Sequence, residues 1–168
     1  MTIDENALRE MLDREAIRAV YARYARGMDR IDVALIGSAY HPDAVEDHHG
    51  EVYSGPSIPE TLARHVRDGM NRTLTNFTSF TIALDGDRAG CEAYYIGLHL
   101  LKNGNKRLLS AGRSVDRLER RDGEWRFTHR NIQPDMVRIL QGDEIEVAGI
   151  VYDRSPTDLS YEVLRPGA

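Results

Sequence analysis

Tyr24 and Asp29 lie five residues apart in the stretch VYARYARGMDRID, residues 20–32. A carboxylate can accept a proton and a phenol can donate one, so this pair is suited to acid–base catalysis. A negative charge near a helix C-terminus is disfavoured by the helix dipole, so its position there calls for an explanation. The structural alternative makes Tyr24 a core residue of an amphipathic helix and Asp29 a solvated residue at the helix end.

A second group of ionisable residues lies in DAVEDHHGEVYSG, where Glu46 precedes His48 and His49. Side chains alternate between the faces of a strand, so at most one of the two histidines can enter a pocket. Histidine can transfer protons near neutral pH, because its unperturbed pKa is about 6.5. The alternative places His48 and Glu46 in solvent. A two-histidine, one-carboxylate metal site that includes His99 has no diagnostic spacing here, so we expect neither a metal nor a cofactor.

A third group lies in AGCEAYYIGLHLL, which places Tyr95, Gly97 and His99 on one face of a predicted strand. This face is expected to line the pocket, with Tyr95 donating a hydrogen bond to a substrate oxygen. The alternative for His99 is a rim position in which the backbone satisfies its ring. The opposite, apolar face of the strand is predicted to be core or a surface between subunits.

Composition narrows the possible partners of the chain. With 168 residues, 41% of them hydrophobic and 29% charged, the chain has the balance of one soluble globular domain. The net charge of -5, with basic and acidic residues interspersed, argues against nucleic acid. A single cysteine, Cys91, excludes an internal disulfide framework. No signal-like start and no apolar run of about 20 residues occurs, so we expect a cytoplasmic protein without membrane contact.

The N-terminal third of the sequence predicts three helices. The first covers about residues 5–29, where apolar residues recur at three- and four-residue steps. A short second helix is predicted in RIDVALIGSAYHP and ends at Pro42. The third is predicted to begin at Ser57, which forms a capping box with Glu60, while Pro59 is tolerated in the first turn.

The sequence after residue 73 predicts four strands joined by turns. Asp-Gly and Asn-Gly pairs between β-rich runs are strong hairpin signals, so these strands form an antiparallel meander. The DAVEDHHGEVYSG stretch adds a strand pair or an edge strand. The resulting class is α+β: a cone-shaped α+β barrel with three N-terminal helices packed on a curved, mostly antiparallel sheet. We expect a single domain over residues 1–168, with a core at 5–135 and a tail at 136–168 that docks on the pocket or on a neighbouring subunit.

The order of these motifs resembles the SnoaL-like branch of the nuclear-transport-factor-2-like superfamily. LDREAIRAVYARYARGMDRID and RLERRDGEWRFTHR carry most of the resemblance, which covers about residues 5–135. The branch contains scytalone dehydratase, hexachlorocyclohexane dehydrochlorinase and bile-acid 7α-dehydratase. The resemblance therefore implies a cone-shaped fold and acid–base elimination chemistry, although this superfamily also contains isomerases and pure binding domains.

The resemblance also implies roles for particular residues. Asp29 falls on the aspartate that pairs with a histidine in the dehydratases and dehydrohalogenases, and Tyr24 matches an upstream tyrosine. The histidine position falls on Thr75, so the usual dyad is absent and His48 is the expected replacement. Arg130 falls on a pocket arginine, where it is expected to pair with Asp29 or to stabilise a departing group; a surface salt bridge is the alternative.

The leading hypothesis is a cofactor-independent lyase that eliminates water or a small aldehyde from a small, hydroxylated, largely apolar aromatic or cyclic compound. Asp29, directly or through His48, would be the base, and Tyr24 and Arg130 would polarise or protonate the departing oxygen. The residues expected to contact substrate are Glu46, Thr75, Tyr95 and His99. The alternatives are a ketosteroid-isomerase-like proton shuttle and a non-catalytic ligand-binding module. The resemblance further implies a homo-oligomer, a trimer or a dimer.

Overall fold

The structure is a computed structural model that describes residues 4–48, 50–103, 106–141 and 154–164. The helices and strands, in chain order, are α1 (Glu5–Arg30), α2 (Val33–Gly37), β1 (Tyr40–His48), β2 (Glu51–Ser54), α3 (Ile58–Gly69), β3 (Met70–Asp85), β4 (Arg88–Leu101), β5 (Arg107–Arg121), β6 (Glu124–Leu140) and α4 (Leu159–Val163). The predicted α+β layout, with helices first and a meander afterwards, is confirmed.

Six strands of the described residues form one mixed sheet in the order β2-β1-β6-β5-β4-β3. Strands β1 and β6 run parallel, whereas all other neighbours are antiparallel. The sheet does not close on itself, so β2 and β3 are its edges. The turn between β5 and β6 has positive φ at Asp122 (53°) and Gly123 (83°), as expected of a type I′ hairpin.

Helix α1 covers the inner face of the sheet with a stripe of buried residues. Tyr21 packs edge-on against Phe77, Phe80 and Phe127, with ring centroids about 5 Å apart. Asp4 caps the start of the helix by accepting hydrogen bonds from two backbone N–H groups. These contacts fix the rotation of α1, which points its polar face to solvent. No helix among the described residues is long and apolar enough to cross a membrane.

The start of α3 differs from the sequence prediction. Ser57 has a helical backbone (φ −77°, ψ −20°) and its hydroxyl donates to the Ser54 carbonyl at 2.7 Å. An N-cap side chain acts from an extended backbone, so the predicted capping box with Glu60 is wrong. Pro59 does lie in the first turn, as predicted. The end of α2 differs as well, because this helix ends at Gly37 and Pro42 lies within β1.

Residues 154–164 of the tail contact the C-terminal end of α1, whereas its first residues, 136–140, continue strand β6. The Tyr161 hydroxyl donates to Asp32 at 2.9 Å, and Asp158 lies 3.4 Å from Arg30. Arg154 donates to the Met70 carbonyl at 3.2 Å. The segment predicted to dock, GDEIEVAGIVYD, lies outside the described residues. Residues 154–164 therefore anchor near Asp29.

The junction of α1 and α2 depends on a glycine. A Cβ at Gly27 would lie 2.8 Å from both the backbone nitrogen and Cγ1 of Ile36, so the two helices approach too closely for any side chain there. Ile31 follows with φ 55°, which ends α1, and Asp32 accepts a hydrogen bond from the Leu35 N–H to begin α2. This junction sets the position of Asp29.

We expect Gly27→Ala to lower the free energy of unfolding by roughly 1–3 kcal/mol, because the added methyl group overpacks this contact. Gly69→Ala is the matched control, since no atom lies within 4 Å of a Cβ at the end of α3. Urea unfolding monitored by circular dichroism measures both variants. Equal stability of the two variants would contradict the close approach.

Candidate active site

A cavity of about 140 Å³ lies between α1, α3 and the inner face of the sheet. A dry cavity of roughly 150 Å³ is known to hold benzene, so this volume suits a molecule with a single six-membered ring. The cavity is lined by Tyr24, Met28, His48, Leu62, His65, Val66, Met70, Thr73, Thr75, Phe77, Tyr95, Gly97, His99, Ser110 and Ile132. Its walls are thus mostly apolar, with polar groups at a few positions.

Asp29 lies behind the cavity wall, against the lining residue Thr75. The carboxylate accepts a hydrogen bond from the Thr75 N–H, at 3.0 Å for one oxygen and 3.2 Å for the other. Strand β3 is an edge strand, so N–H groups that face away from β4 have no strand partner, and Asp29 satisfies one of them. Burial raises the pKa of Asp29 to about 6, although the Thr75 hydrogen bonds oppose this increase. Asp29 is not itself among the lining residues.

Glu46 and His48 form a pair on the inner face of β1. The Nδ1 of His48 lies 3.0 Å from Oε1 of the fully buried Glu46, and His48 lines the cavity. Burial alone would raise the pKa of Glu46, but the His48 hydrogen bond and the charge of Arg130 bring it below its usual value. An ionised carboxylate only accepts hydrogen bonds, so we assign the proton of His48 to Nδ1. In the neutral ring, the lone pair is then on Nε2. His49 lies outside the described residues.

Arg130 is completely buried on β6 and does not line the cavity. Its carboxylate partner is Asp116, with Nε and Oδ1 3.4 Å apart, rather than the expected Asp29. The physical reason is the sheet register, in which Arg130 is directly opposite Asp116 on β5 and Glu46 on β1. The surface salt bridge considered as an alternative is also wrong. The guanidinium lies 4.0 Å from the centroid of the Tyr24 ring, so this ring separates it from the cavity.

The remaining hydrogen-bond partners of Arg130 were not predicted from the sequence. Its Nη2 donates to the Ser114 hydroxyl at 2.8 Å, and its Nη1 donates to the Tyr40 hydroxyl at 3.2 Å. The other oxygen of Asp116 accepts from Tyr21 and Ser114, both at 2.6 Å. Burial raises the pKa of Asp116, against the opposing charge of Arg130. One sequence pattern could have indicated them: side chains of β5 alternate between the two faces of the sheet, which places Ser114 and Asp116 on the inner face.

Tyr24 and Tyr95 supply phenols to the cavity. Burial, followed by the negative charge of Glu46, raises the pKa of Tyr24, so its hydroxyl keeps its proton at neutral pH. Tyr95 is nearly buried, with its hydroxyl 3.2 Å from that of Ser110. Both residues were predicted to line the pocket, and the structure places both there.

His99 lies across the cavity from α1 and is held by its neighbours on the sheet. Its Nδ1 is 2.7 Å from the Thr73 hydroxyl, and its ring folds over Gly97, where a Cβ would lie 2.7 Å from Nε2. Burial lowers the pKa of His99, which favours a neutral ring. Gly97 is directly opposite Thr75, so the ring of His99 lies beside the strand position that Asp29 contacts.

The site offers proton acceptors and donors around an apolar space. His48 presents its imidazole to the cavity, and Tyr24 offers a phenol that remains protonated. Within the described residues, no group of three His, Cys, Asp or Glu side chains could hold a metal ion. The arrangement is suited to moving a proton on a bound ring compound.

The sequence matches the SnoaL-like domain over residues 9–131, so the chain belongs to the SnoaL-like family. Its fold is similar to that of a type 2 hexachlorocyclohexane dehydrochlorinase, LinA, with 26% identity and a TM-score of 0.78 over 86% of this chain and 99% of that one. A type 3 LinA from Novosphingobium barchaimii has 24% identity and a TM-score of 0.77 over 84% and 99% of the two chains.

A candidate scytalone dehydratase from Novosphingobium aromaticivorans has the same fold at 13% identity. Its TM-score is 0.73, over 84% of this chain and 97% of that one. No curated protein matches the sequence. The comparisons therefore establish the family and the fold predicted from the sequence motifs.

We expect Asp29→Asn to stabilise the protein above about pH 6 and to have little effect near pH 4. The folded-state pKa of about 6 exceeds the ordinary value of 3.8, so the folded protein holds this proton more tightly and loses stability as pH rises between these values. Asparagine has no proton to lose, and its carbonyl still accepts from Thr75. The gain should be at most about 3 kcal/mol, from 1.36 kcal/mol per pKa unit.

Urea unfolding at pH 4 and pH 7.5 measures this difference. Asp68→Asn, at an exposed position in α3, is the control for a general charge effect. A stability difference that is the same at both pH values would contradict the raised pKa of Asp29.

Proposed function

We propose that the protein is a cofactor-free lyase that removes water or a small aldehyde from a small, hydroxylated, largely apolar aromatic or cyclic compound. The observation that carries this proposal is the Glu46–His48 pair on the wall of the apolar cavity. A buried carboxylate that orients an imidazole towards a pocket is suited to general base catalysis. The similarity to a dehydrochlorinase, which by its name is an elimination enzyme, supports the same reaction class.

The size and the walls of the cavity support the substrate class. A volume of about 140 Å³ suits one six-membered ring, and the side chains of Leu62, Val66 and Phe77 provide apolar contact. Tyr24, Tyr95 and His99 would form hydrogen bonds with the hydroxyl groups of a substrate. A compound with one ring and one or two hydroxyl groups therefore matches the site.

The proposed reaction requires only proton transfer. For loss of water, His48 takes a proton from the carbon next to the C–O bond, that bond breaks, and the oxygen leaves with a proton returned by the imidazolium. For loss of an aldehyde, His48 takes the hydroxyl proton, the adjacent C–C bond breaks, and the resulting carbanion takes the proton back. Both sequences regenerate His48 and consume no further reactant.

The other residues have supporting roles in this proposal. Tyr24 donates a hydrogen bond to the departing or carbonyl oxygen, and Asp29 is a second proton acceptor behind Thr75. Arg130 and Glu46, which do not line the cavity, act through other residues rather than on the substrate. The residues that orient the substrate are Thr75, Tyr95 and His99. Each acid–base contact typically contributes about 10²–10⁴-fold in rate.

A proton-shuttling isomerase is the second candidate function. The pKa of about 6 for Asp29 favours it, because a carboxylate in this range can take a proton and return it near neutral pH. This reaction needs a carbonyl compound, with Tyr24 holding the enolate oxygen. Substrate chemistry therefore separates the two candidates.

We expect His48→Gln to lower kcat/KM by about 10²–10⁴-fold on any substrate that wild-type protein turns over, because glutamine cannot accept the proton. A panel of single-ring alcohols, diols and ketones, followed by mass spectrometry for lost water or formaldehyde, provides the measurement. His65→Gln is the matched control, since His65 also lines the cavity but is exposed. Turnover of ketones alone, abolished by Asp29→Asn, would favour the isomerase instead.

The lyase proposal fails if His48→Gln and His65→Gln retain equal activity. Both enzymatic proposals fail if wild-type protein binds ring compounds but converts none of the panel. The remaining function is then ligand binding.

We also propose that the protein is a homo-oligomer, a dimer or a trimer, formed through the outer face of the sheet. Large apolar side chains are exposed on this face of β3, β4 and β5. They are Leu74, Tyr94, Ile96, Leu98 and Val115. Adjacent strands bring these residues together, since Leu74 pairs with Leu98 across β3 and β4. A contiguous apolar patch of this kind is typical of a protein–protein interface.

We expect Ile96→Lys to convert the oligomer to a monomer, because a charge at the centre of this patch would be desolvated in the interface. Light scattering after size-exclusion chromatography gives the mass. Val52→Lys is the control: Val52 is more exposed than Ile96, at 64% against 46%, but lies on β2 at the other edge of the sheet. A wild-type monomer, or dissociation by both variants alike, would contradict this interface.

A further inference from the structure

A continuous chain of hydrogen bonds connects the cavity to buried charges behind it. We propose that Arg130 and Asp116 are positioning residues that control the proton affinity of His48 without contacting the substrate. The connection passes through Tyr40 and Glu46. This inference rests on the proposed function, because it assigns a catalytic use to His48.

Three buried charged residues lie side by side on neighbouring strands of the sheet. Arg130 is opposite Glu46 on one neighbouring strand and Asp116 on the other, and all three side chains are at most 2% exposed. One guanidinium therefore lies between two carboxylates in an environment with little water. Electrostatic interactions are strong in such an environment, so a change in one of these groups is felt by the others.

Tyr40 bridges Arg130 and Glu46. Its hydroxyl accepts a hydrogen bond from Nη1 of Arg130 at 3.2 Å and donates one to Oε2 of Glu46. A hydroxyl can do both at once, and acceptance from a cation strengthens its own donation. The charge of Arg130 is thus transmitted to one oxygen of Glu46.

The hydrogen bond from Tyr40 to Glu46 affects the hydrogen bond between Glu46 and His48. Oε1 of Glu46 accepts from His48, while Oε2 accepts from Tyr40. A carboxylate that receives a strong hydrogen bond at one oxygen is a weaker acceptor at the other. Tyr40 and Arg130 therefore reduce the pull of Glu46 on the His48 proton, and in the proposed arrangement this lowers the proton affinity of the imidazole.

Asp116 sets the position of Arg130 in this chain. One oxygen lies 3.4 Å from Nε of Arg130, and the other is held by Tyr21 and Ser114 at 2.6 Å. Ser114 also accepts from Nη2 of Arg130, so Asp116 and Ser114 hold the guanidinium together. The fixed guanidinium then keeps Nη1 directed at Tyr40.

Other ionisable groups also face His48 and must be kept constant in a test. Glu51 is its cross-strand partner on β2, and the Tyr53 hydroxyl donates to that carboxylate. The cavity adds Tyr24 from α1, His65 from α3 and His99 from β4. Of these residues, Tyr24 contacts the chain, with its ring 4.0 Å from the guanidinium of Arg130, so the matched variants of the test keep Arg130 and change only hydroxyl groups.

Tyr40→Phe and Tyr21→Phe are a matched pair for the test. Each removes one hydroxyl that donates to a buried carboxylate, and each keeps a ring that is at most 4% exposed. Tyr40 donates to Glu46, next to His48, whereas Tyr21 donates to Asp116 at the far end of the chain. Any difference between the variants therefore reports on the bridge rather than on the loss of a buried hydroxyl.

The measurement is a ¹⁵N nuclear magnetic resonance titration of the histidine rings in the ligand-free protein, with His48 assigned through His48→Gln. We expect Tyr40→Phe to raise the midpoint of His48 by at least about half a pH unit, because Glu46 becomes a stronger acceptor. Tyr21→Phe should move it by less than about 0.2 units, because Ser114 still donates to the same oxygen of Asp116 and the contact of Asp116 with Arg130 uses the other oxygen. Below the midpoint both ring nitrogens of wild-type His48 should carry a proton, and above it the remaining proton should be on Nδ1.

Equal shifts in the two variants, or no shift in Tyr40→Phe, would overturn the proposal. Glu46→Gln is a second test with the opposite sign, since loss of the negative charge should lower the His48 midpoint; an unchanged midpoint overturns the proposal as well. The titration needs no substrate, so its failure is distinct from a failure to find turnover. With a converted substrate, the same shift must appear in the pH dependence of kcat/KM.

Discussion

The burial of one guanidinium, that of Arg130, constrains most of this structure. A charge removed from water is tolerated only when partner charges and hydrogen bonds replace the lost solvation. Asp116, Ser114 and Tyr40 supply these partners from strands β1 and β5, which flank β6. The rings of Tyr24 and Phe127 cover the guanidinium at 4.0 and 4.3 Å. Residues on the inner face of three strands and on the buried stripe of α1 therefore surround this one charged group.

The position of these buried charged residues also determines where a ligand can bind. The buried charges occupy the sheet between β1 and β5, so the open space lies towards β3, β4 and α3, where the walls are apolar. His48 is at the boundary, with Nδ1 on the buried side and the rest of its ring at the cavity. A titratable group at such a boundary combines a fixed orientation with access to a ligand, which are the two requirements of an effective proton acceptor.

Local patterns in the sequence predicted much of the fold, because helix periodicity and hairpin turns depend on neighbouring residues. The alternation of β4 correctly placed Tyr95 and His99 on the cavity side. The contact of Arg130 with Tyr40 on β1, and its position opposite Glu46, were not predictable in this way. The parallel pairing of β1 with β6 joins residues 84 positions apart, as in the contact of Asn131 with Asp47, and no local signal in either strand specifies that register.

The partner of Asp29 also depends on contacts between residues that are distant in the sequence. The resemblance to dehydratases predicts a histidine partner for this carboxylate, and the sequence has Thr75 at that position. In the structure Asp29 accepts a hydrogen bond from the backbone N–H of Thr75, because an edge strand leaves that N–H without a strand partner, and the Thr75 side chain also hydrogen-bonds the carboxylate. In the proposed mechanism the imidazole comes from β1, where Glu46 already provides the carboxylate that a catalytic histidine requires.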